Sequence, residues 1–115
     1  MAEIIKGGAG PRVMNGVLYF REGDTFAYTL HLTVKSMGQP VAPEEISRIM
    51  VMFRNDEGQV VHFFDLEADG NGTVTLEFTE SVSEKFMKGR YNYDIAAQIG
   101  WQKNTLADKL SCVVV

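Results

Sequence analysis

In "GRYNYDIAAQ" (Gly89–Gln98), Tyr91, Tyr93, Ile95 and Ala97 alternate with Arg90, Asn92, Asp94 and Ala96 directly after a glycine. A period of two sustained over this length marks a strand with one buried face. With Ile99, the odd-numbered positions form the inward row of a central strand. The preceding stretch, "ESVSEKFMKG" (Glu80–Gly89), is the single helical candidate. It places Ser81 and Glu84 at capping-box spacing and Val82 and Phe86 at i,i+4, and its glycine can end the turn. Sandwich folds tie a tyrosine hydroxyl back to the backbone at such a corner, so one of the two tyrosines is expected to do so.

Working outward, "TFAYTLHLTVK" (Thr25–Lys35) sets Phe26, Tyr28, Leu30, Leu32 and Val34 on one face and Thr25, Ala27, Thr29, His31 and Thr33 on the other. That alternation predicts a half-buried antiparallel strand. "VLYF" (Val17–Phe20) predicts a short strand closed by the turn residues of "REGD". "ISRIMVMFR" (Ile46–Arg54) and "QVVHFFDL" (Gln59–Leu66) flank the turn tetrapeptide "NDEG" and predict a hairpin. "TVTLEFT" (Thr73–Thr79) alternates again after the "ADGNG" turn, and "TLADKLSCVVV" closes the chain as a strand. "SMGQPVAPEE" (Ser36–Glu45), with a glycine and two prolines, is expected to be a loop. "KGGAGPR" (Lys6–Arg12) has no periodicity, so residues 1–15 are expected to form a flexible arm. The sum is all-β: a sandwich of about seven strands over residues 16–115, with one short helical crossing between the last strands.

The chain of 115 residues is long enough for one domain with one core. Eleven Lys and Arg against fifteen Asp and Glu give a net charge of −4, and the basic residues are scattered singly. Nucleic-acid grooves and anionic membrane surfaces both need clustered cations, so neither is an expected partner. The lone Cys112 excludes an internal disulfide. The opening "MAEIIKGGAG" has no apolar run of signal-peptide length. The expectation is therefore synthesis in a cytoplasm without a signal peptide.

The residues that carry chemistry do not assemble into a recognised pattern. His31, His62 and Cys112 stand at spacings that match no zinc ligand set. "DLEADGNGT" has Asp65, Asp69 and Asn71 but lacks the spacing and terminal glutamate of a calcium loop, so its Asx-Gly pairs are turn chemistry. No serine elbow and no phosphate-binding glycine loop occurs. Cys112, in an apolar last strand, is expected to behave as a small hydrophobe. No catalytic, cofactor or metal residues are assigned, and the chain is not expected to be an enzyme.

Two features could instead make contacts. In the hairpin, Ile49, Val51 and Phe53 face the core, so Met50 and Met52 point outward, and the returning strand is apolar on both faces. Strands apolar on both faces are usually covered on both. Met50, Met52, Val60 and Phe64 are therefore the candidate interface, unless the N-terminal arm or the long loop folds over them. Trp101, the lone tryptophan, is a candidate contact in the "IGWQKNT" loop. With Tyr91 and Tyr93 it motivates a second reading, a carbohydrate-binding or adhesion module.

"FTESVSEKFMKGRYNYDIAAQIGWQKNTLADKLSCVVV" (Phe78–Val115) resembles the immunoglobulin-like domain at the N-terminus of phage baseplate upper proteins and related prophage tail and neck proteins. The shared pattern is a strand ending in acidic or hydroxylic residues, a short crossing to a glycine (Gly89), an aromatic-x-aromatic-Asp strand (Tyr91 to Asp94), a turn, and a final strand ending in valines. "REGDTFAYTLHL" and "ISRIMVMFRNDEGQVV" look like that family's early strand and middle hairpin, which extends the resemblance over residues 17–115. The resemblance implies an immunoglobulin-like β-sandwich with no catalytic residues. It also implies protein partners, as a homo-oligomer or as a component of a phage particle, and incorporation in a virion.

Overall fold

A computed structural model describes residues 2–5, 11–32, 35–36 and 39–115, with side chains for 11–32 and 41–115. The strands are β1 (Ala2–Ile5), β2 (Arg12–Met14), β3 (Val17–Phe20), β4 (Phe26–His31), β5 (Lys35–Ser36), β6 (Gln39–Pro40), β7 (Ile46–Asn55), β8 (Val60–Glu67), β9 (Thr73–Phe78), β10 (Gly89–Ile99) and β11 (Gln102–Val114). A 3-10 turn, Pro43–Glu45, precedes β7, and one helix, α1 (Glu80–Ser83), joins β9 to β10. One sheet has the order β1-β4-β9 and the other β2-β3-β11-β10-β7-β8. In chain order the strands change sheet from β1 to β2, from β3 to β4, from β4 to β7, from β8 to β9 and from β9 to β10. β3 runs parallel to β11, while the other pairings within the two sheets are antiparallel. This is an all-β sandwich.

All seven strands expected from periodicity are present. Two more come from residues 1–15, where a flexible arm was expected. Ala2–Ile5 pairs antiparallel with β4, and Arg12–Met14 pairs with β3 through Met14↔Val17. The physical reason is that β4 and β3 each expose a row of backbone donors and acceptors that a neighbouring strand can satisfy. The β2–β3 hairpin carries a readable signal: Asn15 at φ +51° and Gly16 at φ +77° form the Asn-Gly pair that two-residue hairpins favour. Residues 6–10, and Thr33 and Val34 in the predicted strand face, lie outside the described residues. The loop expected over Ser36–Glu45 contains a two-residue ladder, with Lys35↔Pro40 and Ser36↔Gln39.

The core is aromatic at one end. Phe78 lies between the sheets, with ring centroids 4.5 Å from Phe26, 5.4 Å from Phe20, 5.7 Å from Phe53, 5.4 Å from Phe64 and 5.6 Å from Phe86. Phe53 in turn stacks on Tyr93 at 4.7 Å. Offset and edge contacts at these separations add to simple burial. Inward alternation holds along β10: Tyr91, Tyr93, Ile95 and Ala97 are buried opposite Asn55, Phe53, Val51 and Ile49.

The crossing differs in detail from the expected capping box. The helix begins at Glu80 with Thr79 as its N-cap, so Ser81 falls inside the first turn, where its hydroxyl meets that of Thr79 at 3.1 Å. β9 ends at Phe78, and the chain has to turn at once to reach the other sheet. Buried Ser83 donates from its hydroxyl to the Asp24 carbonyl, tying the crossing to the β3–β4 turn. Phe86 is sealed under it. The corner is closed by Tyr91, whose hydroxyl donates to the Met87 carbonyl at 2.7 Å.

Gly72 packs where no side chain fits. Its φ is +75°, and a Cβ there would stand 2.8 Å from the Leu32 carbonyl oxygen, while Leu32 N–H donates to the Gly72 carbonyl at 2.7 Å.

Two substitutions test this frame by chemical denaturation. Tyr91→Phe removes the corner hydrogen bond and should cost about 1 kcal/mol; no measurable loss would mean that the hydroxyl is satisfied by water. Phe78→Ala should cost about 3–5 kcal/mol, the range for emptying a large aromatic site. A cost under ~1 kcal/mol would show that the sheets do not depend on it.

Candidate functional site

Among the described residues β8 pairs only with β7, as an edge strand, and it shapes the outward face of the hairpin. The register sets Met50 opposite Asp65, Val51 opposite Phe64, Met52 opposite Phe63 and Phe53 opposite His62. Val51 and Phe53 are fully buried, so their partner positions face inward and those of Met50 and Met52 face outward. One residue further the pairing shifts, with Arg54 opposite Val60. Val61 is therefore the extra residue of a bulge, and side-chain parity reverses across it.

That bulge corrects one of the four expected interface residues. Val60, 53% exposed, and half-buried Met50 and Met52 lie on the outward face as expected. Phe64 does not: it is buried at 7% exposure against Phe53 and Phe78. Phe63, 42% exposed and opposite Met52, takes the outward place. Uninterrupted alternation would put Val60 and Phe64 on one face. The bulge puts Val60 with Phe63, and "VVHFF" carries no local mark of where the extra residue sits.

Charged pairs bracket the apolar strip. Arg48 donates from Nε to Asp65 Oδ1 at 2.7 Å across the β7–β8 ladder. Arg54 pairs with Asp94 across β7–β10. Between them, Ala96 of β10 stands opposite Met50 and is itself buried. The face is thus a band of Met50, Met52, Ala96, Phe63 and Val60 whose flanking cations and anions neutralise each other.

Asp94 has a second partner. Over the segment opposite Tyr93–Ala96, β11 takes five steps, Leu110 to Thr105, where β10 takes three. The extra residues enter at two successive register shifts, and Lys109 in the first has φ +52°. Lys109 N–H, displaced from the ladder, donates to Asp94 Oδ1 at 2.9 Å. That hydrogen bond, with Arg54 beside it, holds the Asp94 carboxyl below its ordinary value against the opposing effect of partial burial.

Trp101 is 86% exposed at the tip of the β10–β11 hairpin. Tyr91 and Tyr93 do not join it. Both are buried, and Tyr91 lies at the far end of β10, ~30 Å away at the usual strand rise. The aromatic trio behind the carbohydrate reading is not assembled.

Histidines and cysteine are also dispersed. His31 Nδ1 lies 3.4 Å from the Thr73 hydroxyl. His62 packs edge-on to Phe64 at 4.5 Å and its Nδ1 lies 3.3 Å from Lys85 Nζ; burial first, then the Lys85 charge, lowers its pKa. Cys112 is fully buried, and burial pushes its thiol up to about 12. Among the described residues no three His, Cys, Asp or Glu side chains converge. In the "ADGNG" turn, Asp69 Oδ1 accepts from Asn71 N–H at 2.8 Å and Thr73 N–H at 3.3 Å, which is Asx-turn geometry. No protein-family model matches the chain, and no curated protein matches it.

His62 and Asp94 both contribute to the acid side of the stability profile. A His62 pKa lowered on folding means that the unfolded chain binds the extra proton first. Its contribution is complete above ~6.5 and is lost as pH falls toward the folded value. Asp94 behaves alike at lower pH: its contribution is present above ~3.9 and lost as pH falls through the folded value. His62→Gln should therefore flatten the decline that begins below ~6.5. Asp94→Asn should cost about 1 kcal/mol at neutral pH, with the gap to the unmodified chain closing in acid. Urea midpoints measured across the pH range check both, and a pH-independent gap for Asp94→Asn would refute its assignment.

Proposed function

We propose that this chain is a non-catalytic structural domain of phage or prophage origin, associated with a tail, baseplate or neck and acting through protein–protein contacts. The observation that carries this reading is the outward strip of Met50, Met52, Val60 and Phe63 beside β8, which among the described residues is an edge strand. A partner that covers the strip removes apolar surface from water without stripping charges, because Arg48 and Arg54 are already paired. Methionine adds an adaptable surface that accommodates a neighbour's contours. The phage origin rests on the resemblance of the crossing, the aromatic-x-aromatic-Asp strand and the valine-rich last strand to baseplate upper proteins. The partner is a second copy of the chain or a protein of the particle.

A second reading, an adhesion or carbohydrate-binding module, rests on the exposed Trp101 alone. Binding on a glycan array that disappears in Trp101→Ala would favour it over the first.

Sedimentation of the purified chain over a concentration series tests the self-association form. The expected result is a mass rising above the 12.8 kDa monomer. Phe63→Ser, an outward change that leaves the core intact, should weaken the association about tenfold or more. A mass fixed at the monomer value at every concentration would remove the second-copy form of the proposal.

A further inference from the structure

The end of the sandwich opposite the phenylalanine cluster is open. A cleft of about 420 Å³ lies between the sheets, within the ~300–1,000 Å³ range of small-molecule sites. Leu30 of β4 forms one wall, and Ile95 of β10 with Leu106, Ala107 and Leu110 of β11 forms the other. The β11 residues belong to the segment that carries two extra residues, so the bulge that Asp94 pins shapes this wall. The mouth lies beside Gly16 and His31, both exposed.

The floor is polar in a specific way. Tyr28 and Tyr93, 2% and 3% exposed, face each other from the two sheets with their hydroxyl oxygens 3.1 Å apart. Both line the cleft. Burial raises both phenol pKa values, so both protons are in place at neutral pH. Two hydroxyls that bond each other use only one of their two hydrogens, whichever donates. No protein acceptor for the other hydrogen occurs among the described residues. A buried donor of this kind needs a partner, and the cleft is where one can stand.

We propose that this cleft binds a compact, neutral molecule with an apolar body and one hydrogen-bond acceptor, of the ketone, ester or amide class, whose oxygen accepts the spare proton of the Tyr28–Tyr93 pair. The walls supply the apolar contact, and the pair fixes the orientation. A carboxylate fits poorly, because among the described residues no lysine or arginine lines the site, and a charge placed at its floor would lose its hydration. This site is separate from the outward strip of β7 and β8, since it opens between the sheets.

Three near-isosteric probes test the proposal on the full chain by amide chemical-shift titration: acetophenone, isopropylbenzene and benzoate. Acetophenone should shift the amides of Leu30, Ile95 and Leu106 and bind roughly two- to tenfold tighter than isopropylbenzene, the margin of one neutral hydrogen bond. Benzoate should bind weakest. Each single variant, Tyr28→Phe or Tyr93→Phe, keeps one hydroxyl whose proton is free, so the preference for acetophenone should survive it. The double variant should lose that preference. Absence of shifts at these amides with all three probes overturns the site. Equal binding of acetophenone and isopropylbenzene, or tightest binding by benzoate, overturns the assigned chemistry. If the double variant does not fold, the comparison of probes on the unmodified chain still decides.

Discussion

The two sheets are held together where Phe78 of β9 meets Phe53 of β7, with Phe20, Phe26, Phe64 and Phe86 packed around them. Strands β3, β4, β7, β8 and β9, and the crossing after β9, each deliver one of these rings to the same layer. The corner after β9 shows the consequence. Phe78 is the last residue of its strand, and Phe86 follows after one short turn of helix, so Ser83 and Tyr91 have to satisfy backbone carbonyls at a sharply bent corner. Aromatic rings are large and rigid, and this end of the sandwich is therefore full. The other end, built on Tyr28, Tyr93 and aliphatic side chains, leaves a cleft.

The irregularities of the larger sheet do the rest. One bulge, at Val61 in β8, brings Phe63 to the outward face and Phe64 to the core. The two extra residues of β11 bend that strand, and Asp94 accepts the backbone N–H which the ladder no longer uses. Asp94 also anchors Arg54, so one carboxylate links the flank of the outward strip to the wall of the cleft. Each irregularity changes what a surface presents while leaving the strand order untouched.

Much of this was legible from residue patterns. Alternation located the seven principal strands, and it identified the buried row Tyr91, Tyr93, Ile95 and Ala97. The glycine and tyrosines after a short crossing pointed to the corner hydrogen bond that Tyr91 makes. The Asn15-Gly16 pair was an equally local signal for the first hairpin, hidden by the surrounding glycine-rich stretch. Phe64 was assigned to the wrong face, and Tyr91 and Tyr93 were grouped with Trp101, because a strand pattern does not report a bulge or which end of a strand a residue occupies.

The sequence by itself determined the class of fold, since a two-residue period forces strands with one buried face and no competing helical period runs long enough to win. It also determined which residues could carry charge and where turns had to fall. Tertiary structure alone decided the surfaces. Whether Phe63 or Phe64 meets solvent depends on how β8 registers against β7. Whether Tyr28 meets Tyr93 depends on two strands 65 residues apart facing each other across the sandwich. Register and cross-sheet contact are relations between distant segments, and no local pattern of residue types contains them.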